Sequence, residues 1–316
     1  MFTKKTAAFR FIFYSGFTVL LVGLATLFNR EAAGHFLQEW QLWRDPIMAG
    51  MLCGLVLSLL GVYILLNRIV FVSLALSQGA SFGIFLAFLL GGWVGLNLEN
   101  SSWPLFLGFL IAIFTAVFFA RLRKSIRYPD ESLIGLIYIV TSGLIIVIGD
   151  RITQGRHNID NLLFGDAVAV TFEDLLLMAA VALPILFLHF LFRREFLYSS
   201  ADADFMRIRG INTRRWMVLL YLTLTAAITA SLKVLGALPV FALMVLPPFI
   251  ALKKTKGLRD AFLVSILIGT LLPALGYYFS FLFSFPTGGS LILVALFYTL
   301  ASALEPALKE KVPLKA

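Results

Sequence analysis

Apolar runs on the scale of a bilayer crossing recur ten times in this chain: residues 11–28, 47–66, 71–94, 103–120, 132–149, 175–192, 216–232, 235–252, 261–282 and 290–304. Most reach the roughly 20 residues that a helix needs to cross the hydrocarbon. With 60% hydrophobic residues, 14% charged residues and a mean hydropathy of +0.94, the 316-residue chain lacks the polar surface that a soluble domain of this length would need. The expected fold class is therefore all-α, a polytopic membrane helix bundle of about nine to ten transmembrane helices.

Charge sorting predicts the orientation. With the N-terminus inside, Lys and Arg fall on cytoplasmic segments apart from Arg30, Arg44, Arg151, Arg156 and Lys233, while the acidic residues divide almost evenly. This asymmetry predicts N-in and C-in. The net charge of +9 is spread over several inner loops, which excludes a nucleic-acid partner and leaves membrane lipid. Residues 1–10 are basic (Lys4, Lys5, Arg10), and Ala32, Ala33 and Gly34 loosely resemble a signal-peptide cleavage region. The first run is long enough to span and reads as an uncleaved anchor; with either reading the next span starts outside. The single cysteine, Cys53, lies in an apolar run, so it forms no intrachain disulfide and suggests no redox role.

Enzyme constellations are missing from the sequence. The three histidines (His35, His157, His189) are far apart, with no HExxH pair, and no GxxxxGK[ST] sequence occurs, so the chain is not itself a P-loop ATPase. No span carries a carboxylate at its centre, which counts against an ion-coupled carrier.

The polar content of the spans gives the path candidates. Ser73, Ser77 and Ser81 repeat every fourth residue and share a helical face with small residues. Close interhelical packing accounts for serines so placed. Gln78 needs partners for both amide ends and is a candidate for a polar cavity. In residues 235–248 (LGALPVFALMVLPP) three prolines interrupt an apolar run. Either a discontinuous helix beside a transport path or a kinked packing helix explains them, and Pro239 and Pro247 join the candidates. Residues 161–166 (NLLFGD) are expected to turn back against the bundle at Gly165, which adds Asp166.

The loop 192–216 is the longest polar segment between two apolar runs and carries Arg193, Arg194, Arg207, Arg209, Arg214 and Arg215. Residues 201–209 suit about two turns of helix, with Asp202 or Asp204 at the start and Gly210 as the stop. Such a helix is a handle for another protein; a solvated loop obeying the charge rule would carry the same arginines.

At these residues the chain resembles the ABC-3 family of metal permeases, the membrane subunits of zinc and manganese import ATP-binding cassette transporters. The resemblance runs over about residues 48–304 and rests on four stretches in order. They are LFGD (163–166) with VTFED (170–174), DADFMRIRGIN (202–212), LGALP (235–239) with Leu246 and Pro247, and FPTG (285–288). It implies an extra N-terminal span and external linker over 1–46, a permease domain over 47–305 and a cytoplasmic tail over 306–316. It further implies a multi-pass protein of the prokaryotic inner membrane, a homodimer around a central path, with no cofactor on this chain. Cytoplasmic ABC ATPase subunits would bind ATP, and an extracytoplasmic metal- or solute-binding protein would deliver cargo. Asp204, Met206, Arg207, Arg209, Gly210 and Asn212 would form the coupling helix that docks on the ATPase. The chain departs from the family at Leu74 and Gln78, where the family carries Asp and His, and no metal ligand is assigned. In the coupling loop Met206 and Arg209 replace a small Ala and a Leu, which implies a dedicated ATPase with an altered groove. The function expected is permease of an importer for divalent metal ions of the zinc, manganese or iron class. The alternatives are a permease of the same fold for another small solute or metal complex, and a non-transporting membrane scaffold.

Overall fold

In hydrocarbon no water answers a backbone N–H or C=O, so a spanning segment pairs its own groups and becomes a helix. The computed structural model describes residues 2–95, 98, 101, 103–122, 130–151, 170–201, 206, 208 and 210–304. Among them twelve helices have described bounds, and there is no strand. They are α1 (Phe2–Phe28), α2 (Arg30–Gln38), α3 (Trp40–Leu66), α4 (Val70–Val94), α5 (Trp103–Leu122) and α6 (Asp130–Arg151). After residues 152–169 come α7 (Phe172–Leu191), α8 (Arg193–Ala201), α9 (Thr213–Leu235), α10 (Ala237–Lys254), α11 (Leu258–Phe283) and α12 (Thr287–Leu304). Among the described residues nine are long and apolar enough to cross a membrane, and α5, apolar over Trp103–Phe118, takes the place of the fourth run. The chain is a multi-pass membrane protein.

The segment read as a linker is helical. Asn29 caps α2 by accepting from the Ala32 N–H at 3.3 Å and donates from its own amide to the Leu282 carbonyl at 2.8 Å. Ala33 and Phe36 lie on the inward face of this short helix, and Phe36 packs 5.1 Å from the Tyr278 ring and 5.3 Å from the Phe281 ring. α3 then begins at Trp40, upstream of its apolar run, and continues through Pro46.

α1 is fastened to α11 and α12 by threonine–tyrosine pairs. Thr18 and Thr26 each donate to the carbonyl four residues back, at 2.8 and 2.7 Å, which leaves each hydroxyl oxygen to accept. Thr26 meets the Tyr278 hydroxyl at 2.7 Å, and Thr18 meets the Tyr298 hydroxyl, whose ring also stacks on Tyr14. Tyr278→Phe with Tyr298→Phe is expected to weaken the attachment of α1 by about 1 kcal/mol per lost bond. Faster proteolysis of α1 at unchanged melting of the remaining bundle would report it.

α3 runs through the centre, against α10 and α11 along its length and α7 and α9 beside them. Two of its glycines admit a neighbouring backbone directly. A Cβ on Gly54 would overlap the carbonyl oxygen of Gly269, and a Cβ on Gly61 would overlap that of Met244. Both carbonyls belong to residues four before a proline, Pro273 in α11 and Pro248 in α10, so neither finds the usual helical N–H. The glycine Cα–H groups stand where those oxygens are left free, a weak but recurrent form of interhelical contact. Between these two points the Ser265 hydroxyl donates to the Ser58 carbonyl at 3.0 Å.

Candidate functional site

Two regions carry the polar groups singled out in the sequence: the interior around α4 and α10, and the segment between α7 and α9. In α4 the hydroxyls of Ser73 and Ser77 donate to the Val70 and Leu74 carbonyls at 2.6 and 2.9 Å, so both are spent on their own helix. Ser81 is buried and its hydroxyl has no hydrogen-bond partner. Close packing is made by the glycine face instead. A Cβ on Gly79 would lie 2.6 Å from the Thr115 hydroxyl, and one on Gly83 would lie 2.7 Å from the Gly108 Cα, which brings α5 tight against α4. Gln78 is buried in the same turn as Ser77. α10 packs on α4, so the structure brings the helix of Ser77 and Gln78 beside the helix of Pro239 and Pro247.

α10 is one helix rather than two pieces. Pro239 lies in its first turn, where an amide N–H has no helical acceptor in any case. Pro247 and Pro248 interrupt the ladder within the helix, and the carbonyl opposite Gly61 is their most direct result. α10 is therefore continuous through its prolines. Asp166 lies outside the described residues.

In the polar loop, α8 occupies Arg193–Ala201, upstream of the stretch read as a coupling helix. Asp204, Arg207 and Arg209 lie outside the described residues. Residues 206 and 208 are helical, and the helix stops where the glycine requires it: Gly210 takes a φ of +70°, and the Ile211 N–H donates to the Met206 carbonyl at 3.0 Å. Asn212 then opens α9, its side chain accepting from the Arg214 N–H at 3.1 Å. Met206 is 1% exposed and Ile208 is 86% exposed. Of the two described residues of this turn, Ile208 is presented outward, which the sequence reading missed, and Met206 is held within.

A second polar cluster joins two residues that the sequence reading named but did not pair. Asp174, in the first turn of α7, accepts from the Thr171 N–H at 3.0 Å and from the Thr171 hydroxyl at 3.1 Å. Its other oxygen is 2.6 Å from the Lys233 ammonium at the end of α9. The Asp174 side chain is 6% exposed and that of Lys233 is 48% exposed, so the lysine reaches in from the surface to neutralise a buried carboxylate. Nearby, the Tyr277 hydroxyl donates to the Val234 carbonyl at 3.1 Å, which fixes the same end of α9 to α11.

These features can be set beside known proteins. The manganese transport system membrane protein MntC of Halalkalibacterium halodurans is 25% identical over 273 residues, 86% of this chain and 88% of that one. The chelated iron transport system membrane protein YfeD of Yersinia pestis is 26% identical over 280 residues, 88% of each. The solved structure of PsaBC from Streptococcus pneumoniae in complex with Fab has the same fold, with a TM-score of 0.75 at 19% identity, over 85% of this chain and 95% of that one. The sequence pattern of the ABC 3 transport family matches residues 39–305, which takes in every helix from α3 to α12. The chain belongs to the ABC 3 transport family.

Proposed function

We propose that this chain is the membrane-spanning permease of an ATP-binding cassette importer for metal ions of the manganese, iron or zinc class. The observation that carries this reading is the family match over residues 39–305, supported by relatives whose names specify manganese and chelated iron transport. Two copies would enclose the path, with the N- and C-termini on the cytoplasmic side. ATP would be hydrolysed by separate ATPase subunits that dock on the segment around Ile208, and an extracytoplasmic binding protein would deliver the cargo. Ser77, Gln78, Asp166, Pro239 and Pro247 remain the residues proposed for the path. Asp204, Arg207, Arg209, Gly210 and Asn212, with Met206 behind them, are those proposed for coupling.

Gly210→Pro tests the docking. Proline cannot adopt the positive φ of this position, so the helix stop is lost and the outward set of Ile208 with it. The expected result is a permease that reaches the membrane but no longer co-purifies with its ATPase. Full retention of the ATPase would refute the coupling role.

One observation favours a second cargo, a metal complex or other small solute. Among the described residues no three His, Cys, Asp or Glu side chains gather, and Leu74 and Gln78 offer only a weak amide ligand. Gln78→His with Leu74→Asp places two good ligands one helical turn apart on α4. The double variant is expected to bind zinc or manganese more tightly than the wild type, with Gln78→His alone giving a weak gain. Equal metal binding by all three proteins would remove Gln78 from the path.

A further inference from the structure

α8 is a short polar helix with one large apolar anchor. Phe196 is fully buried, and three elements close around it. Its ring stacks on the His189 imidazole of α7 at 4.0 Å and 21°, meets Trp216 of α9 edge-on at 5.4 Å, and lies 6.0 Å from Tyr63 of α3. Tyr63 also approaches His189 at 5.2 Å and Phe262 of α11 at 5.0 Å. Three spans therefore converge on one side chain of the helix that leads directly into the proposed coupling segment, and α11 joins them through Tyr63.

His189 adds a directional link. The Thr223 hydroxyl donates to the Leu220 carbonyl at 3.0 Å, so its oxygen accepts at 3.1 Å from the His189 Nε2–H. That assigns the proton to Nε2 and leaves Nδ1 bare. Nδ1 is buried with no hydrogen-bond partner, and so is the Ser200 hydroxyl, one turn beyond Phe196 on α8.

We propose that the Phe196–His189 contact is the joint through which movement of the coupling segment and α8 reaches α3 and α7. Phe196 is a positioning residue: it touches neither cargo nor nucleotide, and acts by making α8 and the inner ends of the spans move as one body. The inference rests on the ATPase-driven transport reading given above. An ATPase pulling on residues 202–210 displaces α8 at one end and α9 at the other, because both are their covalent neighbours. Without the Phe196 stack, α8 would swing about Phe192 on its own, and α3 and α7 would not follow it.

The test uses the full permease with its ATPase and binding protein in proteoliposomes, with manganese ions as the transported probe. The quantity read is manganese imported per ATP hydrolysed, which does not depend on how much complex survives purification. Phe196→Leu keeps an apolar side chain and removes the stack; its ratio is expected to fall about five-fold or more, the usual size of an energetic coupling between sites, while the ATPase still co-purifies. Phe187→Leu, on the exposed face of α7, is expected to leave the ratio at the wild-type value. A Phe196→Leu ratio equal to wild type overturns the proposal, as does a loss of uptake matched by an equal loss of ATP hydrolysis. If Phe196→Leu does not accumulate, His189→Leu decides by the same criterion, because it removes the stack from the α7 side and leaves Phe196 in place. A wild-type chain that captures no ATPase overturns the transport reading and this proposal with it.

Discussion

Gly54→Ala is expected to destabilise the bundle by at least about 3 kcal/mol, the upper end of what overpacking a tight interior costs. The added carbon would overlap the Gly269 carbonyl oxygen, a backbone atom that no rotamer change moves aside. α3 and α11 would have to separate along their contact, and the Ser265–Ser58 hydrogen bond beside it would break with them. Gly61→Ala is expected to act similarly at the Met244 carbonyl. The control is Gly143→Ala in α6, which meets nothing within 4 Å and should melt at or slightly above the wild-type temperature. Thermal unfolding of the detergent-purified proteins measures all three. A Gly54→Ala variant that melts with the wild type would show that α3 and α11 are not in backbone contact.

Lys233→Met is expected to cost more than removing both members of the Lys233–Asp174 pair. The single change strands a carboxylate that is 6% exposed, with Thr171 its remaining partner among the described residues. Breaking a fully buried pair typically costs about 3–5 kcal/mol; Lys233 is half exposed and partly screened by water, so about 2 kcal/mol is expected here. Lys233→Met with Asp174→Asn removes the stranded charge and should recover roughly half of that loss. A double-mutant cycle on melting temperature reads the difference directly. If the double variant is less stable than Lys233→Met by the full cost of Asp174→Asn alone, the two side chains are not coupled.

The spans were legible in the sequence because their physics is one-dimensional. A run of apolar residues of bilayer length becomes a helix wherever it falls, and the ten runs reappear as α1, α3 to α7 and α9 to α12. Gly210 was legible for a similar reason, since a left-handed stop is a local demand. Which face of a span is buried was not legible. In α7, Ile185 is buried while Leu183 and Phe187 are exposed, yet all three are equally apolar. Lipid removes the polar–apolar contrast by which a soluble helix reveals its inner face. Helix α2 was missed although its two inward residues share one face, because nine residues between two apolar runs read as a linker. Contacts between distant segments had no signal in one sequence, and the Asp174–Lys233 pair, the Phe196–His189 stack and the Gly54 and Gly61 contacts are all of that kind. The prolines of α10 were legible as an interruption of an apolar run, but whether the helix breaks there depends on what stands opposite. Here it is a glycine of α3.

Each of those glycines is bound to a proline on another helix, position 54 to 273 and position 61 to 248. A side chain at 61 becomes tolerable only once the α10 backbone has drawn back, and giving position 248 an amide hydrogen would return the Met244 oxygen to its own helix. Neither change is harmless alone, so the two sites are expected to drift together or not at all. Any recombined permease that takes α3 from one parent and α10 or α11 from another inherits half of each pair, and the seams that preserve function are those that leave α3, α10 and α11 with a single ancestor.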